Sequence, residues 1–370
     1  MGECLMFGLD LESRCLAAVQ AEEEKTQFLI GTHNIKMDNM VLICIIYRNF
    51  SLCRLTVEGD YSRIASLSFT HPSGEVRAIA SCPTNAALVA TSSADFRNPN
   101  PSFGVFLWNI CDDKRSLEEL SKVESDRLVH CVQWEPATNR LAAVSRSTVN
   151  LFDVASSSIQ ASGKLPFDQD DLQFHSGTWN PHSSNMLALP EDKHLICWDI
   201  RANSESNRVR DAHAHRCMFV DFNPNLQHVV ATCGDDGAIR LWDLRKPTDP
   251  LISQRPHSHW VWQVRFHPVH DQLLLSAGSD ACVVLSCAQS VSSEAVDANE
   301  EDEKGEDEQD EEEVATLADG LVDRIDEHEE SVYACVWSSA DPWAFASLSF
   351  DGRLVVSRVS RKHKYALMQL

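Results

Sequence analysis

The 370-residue chain lacks any uncharged apolar run near the ~18 residues that a membrane helix needs, and its best stretch, Met40 to Tyr47, is too short. Direct membrane insertion is therefore not expected. The first residues, Met1-Gly2-Glu3-Cys4-Leu5-Met6, have no basic n-region, and Met6 stands where a myristoylation signal wants Ser or Thr. Neither secretion nor an acyl anchor is expected. Positive charge is scarce: 32 Lys and Arg face 55 Asp and Glu, a net charge of -23. Such a surface repels phosphate backbones and anionic headgroups, which excludes nucleic acid as an expected partner and leaves proteins. The 13 cysteines hold no CxxC pair and sit mostly in apolar runs (Cys44, Cys131, Cys197, Cys335). That is the pattern of reduced, buried thiols in a cytoplasmic protein, not of a disulfide or zinc framework. No GxSxG elbow and no Gly-rich loop opening a helix occurs, so no catalytic residue and no cofactor is expected.

What the chain does have is a period. Leu195-Ile-Cys-Trp198-Asp199-Ile-Arg201 and Ile239-Arg-Leu-Trp242-Asp243-Leu-Arg245 are near-copies 44 residues apart. Weaker copies put Trp108, Phe152, Ser286 and Ser357 in the same slot, and the run Met40 to Ile46 puts Ile43 there. The slots fall at 43, 108, 152, 198, 242, 286 and 357, with steps of 65, 44, 46, 44, 44 and 71. Seven units of one length and two insertions account for nearly the whole chain, which points to a repeat architecture rather than two unrelated domains.

Polar residues repeat in the same register. His213, Thr232, Asp236 and Trp242 stand at offsets 0, 19, 23 and 29; the same offsets give His257, Ser276, Asp280 and Ser286, then His328, Ser347, Asp351 and Ser357. This resembles the WD-repeat family, in which His, Ser or Thr, Asp and Trp form a hydrogen-bonded network inside each four-stranded blade. Buried imidazole, hydroxyl and carboxylate are tolerable when they satisfy one another. The alternative, a Ser/His/Asp hydrolase site, fits poorly because the set recurs with the blade. Where Ser replaces Trp the network is truncated, and those two blades should be less firmly pinned. Pairs such as His213/His215 and His257/His259 have metal-like spacing, but the first member belongs to the grid and no acidic or Cys partner lies at ligand spacing, so no metal is expected.

The expected fold is all-β: a seven-bladed WD-repeat β-propeller spanning 1–370 as one domain, with a strand near Leu5 to Leu9 completing the last blade. Asn180-Pro181, Asn223-Pro224 and His267-Pro268 punctuate the end of the first strand of their units. Asp113 to Glu124 is the one helical candidate. Residues 294–313 carry thirteen acidic residues and one lysine, and read as a disordered acidic loop before the last blade. It is either a solubilising insertion, a lure for a basic partner or a regulatory segment. Arg97-Asn-Pro-Asn-Pro-Ser102 reads as a turn-rich loop.

Longer strings carry a more specific resemblance: Glu327-His-Glu-Glu-Ser-Val-Tyr333, Val336-Trp-Ser-Ser-Ala-Asp-Pro-Trp343, Phe345 to Val355, His257-Ser-His-Trp-Val-Trp-Gln-Val264, His270 to Leu273, and Ile30-Gly31-Thr32 with Asp38-Asn39. Together they resemble the EARP and GARP complex-interacting protein family, also catalogued as a tumour-suppressing subtransferable candidate. The chain departs from that pattern at Asn49 to Ile64 and Leu317 to Asp326. The resemblance implies a noncatalytic scaffold bound to the EARP and GARP tethering complexes, serving endosomal recycling, endosome-to-Golgi retrograde transport and dense-core vesicle cargo sorting. It implies a cytoplasmic protein recruited to the trans-Golgi network and recycling endosomes, and the chain is expected to be a monomer. Two other readings stay open. Arg201 and Arg245, in consecutive WDxR boxes, resemble the signature of substrate receptors of cullin-RING ubiquitin ligases, or simply pair with a carboxylate of the neighbouring blade; the acidic loop suggests a histone-binding protein. For a partner-binding surface the candidates are Arg216, His259, Trp260, Trp262 and Tyr333, where the innermost strands begin and side chains reach the ring's narrow face. Core packing of Trp260 and Trp262 between blades is the alternative.

Overall fold

The computed structural model describes residues 4–34, 39–48, 61–111, 116–155, 158–167, 172–295 and 318–368, with backbone alone at 47–48 and 61–63. Its strands form seven four-stranded antiparallel sheets. Blade 1 comprises Ser13–Ala18, Thr26–Thr32, Asn39–Arg48 and Tyr61–His71; blade 2, Glu75–Ser81, Leu88–Asp95, Ser102–Cys111 and Ser116–Ser125. Blade 3 comprises Val129–Trp134, Arg140–Ser145, Val149–Ala155 and Ser158–Lys164; blade 4, Thr178–Trp179, Met186–Glu191, His194–Asp199 and Ser204–Val209. Blade 5 comprises Cys217–Phe222, Val229–Gly234, Ile239–Asp243 and Ile252–Gln254; blade 6, Val261–Phe266, Leu273–Gly278, Val283–Cys287 and Gly320–Ile325. Blade 7 takes Val332–Trp337, Ala344–Ser349 and Arg353–Arg358, and its fourth strand is the N-terminal Cys4–Gly8, antiparallel to Arg353–Arg358. Each inner strand packs on the next, and Val332–Trp337 packs on Ser13–Ala18, so the ring closes as a seven-bladed β-propeller.

The second strands Val229–Gly234, Leu273–Gly278 and Ala344–Ser349 are buried along their whole length. They are sandwiched by neighbouring blades on both faces, so they read as continuous apolar runs rather than alternating ones. The core lies between blades: Leu42 and Cys44 of blade 1 pack with Val336, Leu348 and Val356 of blade 7. The Asn-Pro signals close the inner strands by side-chain turns. Asn223 Oδ1 accepts the N–H groups of Asn225 and Leu226, and His267 Nδ1 accepts those of Val269 and His270.

Three expectations need correction. Ser116–Ser125 is the outer strand of blade 2, not a helix. Leu117, Leu120 and Val123 have helical spacing, but Leu120 is an extra residue at a register shift at Leu107/Trp108; Leu117 packs with Ile110 toward blade 1 while Leu120 and Val123 pack with Val105 and Leu107 toward blade 3, so the apolar residues serve both faces of a strand. The slot of blade 1 is Cys44, not Ile43: Phe28 pairs with Cys44 as Val230 pairs with Trp242. A short helix, Arg361–Met368, also follows the last blade, burying Leu367 beside Val359 and Trp343. No helix among the described residues is long and apolar enough to cross a membrane. Of the acidic stretch 294–313, residues 296–313 lie outside the described residues.

Candidate functional site

The repeated polar residues meet inside their blades. In blade 5, Trp242 Nε1 donates to Thr232 Oγ1 at 3.0 Å, Thr232 Oγ1 lies 2.9 Å from His213 Nε2, and His213 Nδ1 lies 2.9 Å from Asp236 Oδ1. Burial would raise the Asp236 carboxyl, but the His213 contact and the Arg240 guanidinium 2.9 Å away hold it well below the usual carboxylate range. Gly234 lies under the His213 ring, where any Cβ would collide with the imidazole. Gly237, at φ 73°, turns the chain beneath Asp236.

Blade 6 repeats the set with Ser276 and Asp280, each 2.8 Å from His257. It stops there, because Ser286 in the Trp slot has a buried hydroxyl with no partner among the described residues. In blade 7, His328 Nε2 reaches Ser347 Oγ at 2.7 Å, but Asp351 does not touch the imidazole directly. Ser349 Oγ stands between them, 2.9 Å from His328 Nδ1 and donating to Asp351. Sequence offsets missed a fourth network in blade 2: His71 Nε2 lies 3.1 Å from Thr91 Oγ1, which accepts from Trp108 Nε1 at 2.8 Å. Its offsets are 20 rather than 19 from His to Thr and 17 rather than 10 from Thr to Trp, so a fixed count from either end misses it.

His257, Asp280 and Cys282 place ligand atoms within 4.8 Å of one another, so an acidic and a sulfur partner do stand beside this histidine, contrary to the spacing argument. Both ring nitrogens already face Ser276 and Asp280, and burial with the Asp280 charge pushes the Cys282 thiol up. The trio is satisfied as a blade network without an ion. Arg245 binds the Asp243 carboxylate of its own blade through Nε and Nη2, at 2.9 and 2.7 Å, and not a neighbouring blade. Arg201 is exposed, and its backbone N–H donates to Asp199 Oδ1 at 2.8 Å.

A channel of about 990 Å³ runs along the ring axis, lined by the inner strands. The inner strands of blades 1, 2, 3, 5, 6 and 7 each carry a bulge near their start, at Arg14, Arg77, His130, Met218, Trp262 and Tyr333. In blade 4 the pairs Phe174 with Glu191 and Thr178 with Ala188 place His175 at the same level. These seven side chains ring one mouth of the channel. Blades 1 to 4 contribute basic or imidazole groups, and blades 5 to 7 contribute Met218, Trp262 and Tyr333.

The aromatic half extends outward. His259 and Trp260 rings lie 5.2 Å apart, Trp260 and Trp262 meet edge to face at 5.8 Å, and Trp262 and Tyr333 lie 4.8 Å apart. The Arg14 guanidinium sits 4.7 Å over Tyr333. Trp262 Nε1 donates to Ser279 Oγ at 2.6 Å, and Ser279 N–H donates to the Trp260 carbonyl at 2.8 Å, so the ladder is held from behind. Trp260 is nonetheless 42% exposed, which is not core packing, while Trp262 and Tyr333 are half-buried. Arg216 is exposed at the same mouth, its backbone N–H on Asp235 Oδ1 at 3.0 Å.

A closed ring of seven antiparallel blades, pinned by His, hydroxyl, Asp and Trp networks, defines a WD-repeat β-propeller. Residues 1–286 match the family described as the EIPR1 beta-propeller, and residues 320–356 match the WD domain, G-beta repeat. The EARP-interacting protein 1 of Caenorhabditis elegans is 50% identical over the whole of both chains. The EARP-interacting protein homolog of Danio rerio is 37% identical and the EARP and GARP complex-interacting protein 1 of Homo sapiens 33% identical, each over 98% of both chains. The chain belongs to the EIPR1 beta-propeller family.

Proposed function

We propose that this chain is a noncatalytic, monomeric interaction scaffold that binds the EARP and GARP tethering complexes. Through them it supports endosomal recycling, endosome-to-Golgi retrograde transport and dense-core vesicle cargo sorting, from a cytoplasmic pool recruited to the trans-Golgi network and recycling endosomes. The partners come from the names of relatives similar along the full chain. The observation that carries the docking face is the ladder in which exposed His259 and Trp260 lean on half-buried Trp262 and Tyr333 at a strand end beside Arg216.

Affinity capture of the tagged full chain from cells tests the reading. Tether subunits should co-purify, and alanine at His259, Trp260 and Tyr333 should abolish their capture while the melting temperature stays within a few degrees. Capture of a ligase adaptor, lost on Arg201→Ala with Arg245→Ala, or of histones, would replace the tether reading. Tether capture that survives the alanine set would move the docking face elsewhere.

A further inference from the structure

We infer that the channel mouth receives an extended acidic peptide segment bearing a bulky apolar side chain, its carboxylates on Arg14, Arg146 and Arg216 and its apolar group on Trp262 and Tyr333. The inference rests on the docking face proposed above and adds the chemistry of what docks there.

Charge is the first argument. In a chain of net charge -23, cations are expected to find carboxylates, and Arg97, Arg208, Arg240, Arg245 and Arg358 do so within 3.0 Å. At the mouth, Arg77 is likewise held by Glu75 at 2.6 Å. Arg14, Arg146 and Arg216, all exposed, make no ion pair with any described carboxylate. Arg146 reaches only the amide oxygen of Gln173, at 2.7 Å. Three unpaired guanidiniums around one opening create a local positive field on an acidic protein, which steers and holds an anionic segment.

The imidazoles between them report that field. Burial, then Arg77, His175 and Arg146, push His130 below its ordinary value. Burial, then Arg216, push His175 down against the opposing pull of Asp192, with Arg146 adding to the depression and Asp235 opposing it. His175 Nε2 is shut off from solvent without a hydrogen-bond partner among the described residues.

Shape supplies the second argument. A channel of about 990 Å³ stands at the upper end of the ~300–1,000 Å³ typical of ligand clefts, room for several residues of extended chain. A lone phosphate or inositol phosphate would use the cationic half and leave Trp262 and Tyr333 idle. One segment with both carboxylates and an apolar side chain uses the whole rim.

The test is fluorescence anisotropy on the full chain with a labelled peptide alternating Glu and Phe. Comparators are an all-Glu peptide, a Lys-Phe peptide and inositol hexakisphosphate. The Glu-Phe peptide should bind best and weaken steeply between about 0.05 and 0.5 M salt. Arg146→Glu with Arg216→Glu, and separately Tyr333→Ala, should each weaken it by about tenfold or more. Arg146→Gln with Arg216→Gln is the milder charge-removing control should the reversal unfold the ring. No saturable binding, equal binding by the all-Glu peptide, tighter binding by inositol hexakisphosphate, or unchanged affinity in both charge variants overturns the inference. Concentration-dependent self-association in sedimentation, blocked by the same variants, assigns the mouth to a second copy and overturns it too. The two proposals separate cleanly: no peptide binding with tether capture still lost on the alanine set refutes the acidic-segment inference alone. Peptide binding with tether capture intact refutes the docking face alone.

Discussion

The two versions of the blade network, complete in blade 5 and cut short in blade 6, predict opposite responses to truncation at one structural position. Trp242 and Ser286 occupy the same place on the third strand, opposite Val230 and Leu274. Trp242→Ala removes a side chain only 3% exposed, packed with Val220, Phe222, Val230 and Leu244, and strips Thr232 of its indole donor. Large-to-small changes of this kind cost about 3 to 5 kcal/mol. Losing one neutral hydrogen bond contributes about 1 kcal/mol of that. With ~2 cal/mol/K per residue of unfolding entropy, the melting temperature should fall by about 4 to 6 °C. Ser286→Ala removes a buried hydroxyl that has no partner, so the desolvation penalty disappears with it. The expected effect is neutral or a gain of up to ~1 kcal/mol. Differential scanning calorimetry of the two variants side by side reads the contrast. Equal losses at both positions would refute the reasoning, since the hydroxyl would then have a partner or the register would be wrong.

Reading the chain as one folding unit, 1–370, deletion of residues 1–10 should uncover the edge of Arg353–Arg358 and remove Leu5, Phe7 and Leu9 from the core they share with blade 7. A melting temperature unchanged by the deletion would show that the N-terminal strand does not close the ring. Acid should weaken the fold through its buried imidazoles: burial holds His71 and His328 down at about 4 and His267 at about 3. The unfolded chain takes protons below about pH 6.5 while the folded chain refuses them, so stability is full above that pH and is lost as pH falls toward 4, by up to about 3 kcal/mol per group. His267→Asn keeps the turn acceptor that Asn223 supplies in blade 5, and melting curves from pH 7 to about 4 should be shallower for it than for the parent; parallel curves would clear His267 of any part. Of the twelve described cysteines, all free, ten are buried, and burial pushes Cys15, Cys44, Cys197 and Cys335 up to about 12. Alkylation at pH 8 followed by mass spectrometry should mark few of the 13 thiols in the native chain and all of them in denaturant, and rapid native labelling of Cys335 would contradict its burial.

The sequence revealed the ring where polar residues mark the phase and lost it where they do not. Trp198 and Trp242 take the same place on their third strands, opposite Leu187 and Val230, so their spacing measures the blade directly. Met40 to Ile46 is apolar on both faces, so nothing in it distinguishes Ile43 from Cys44, and only the pairing with Thr26–Thr32 sets the register. Blade 4 carries Leu189 where blade 5 carries Thr232, which leaves Trp198 Nε1 without a partner among the described residues and leaves the blade invisible to a search for the polar grid. The channel mouth was half legible for the same reason. Counting five residues from each grid histidine reaches Met218, Trp262 and Tyr333, because those blades own a histidine to count from. Arg14, His130 and His175 have no such marker and Arg77 stands six rather than five residues after His71, so what aligns the four is an extra residue in a strand pair, which appears only when both strands are in place. The aromatic side of the rim could therefore be reached from sequence, whereas the cationic side, on which the proposed preference for an acidic segment rests, is visible only in the fold.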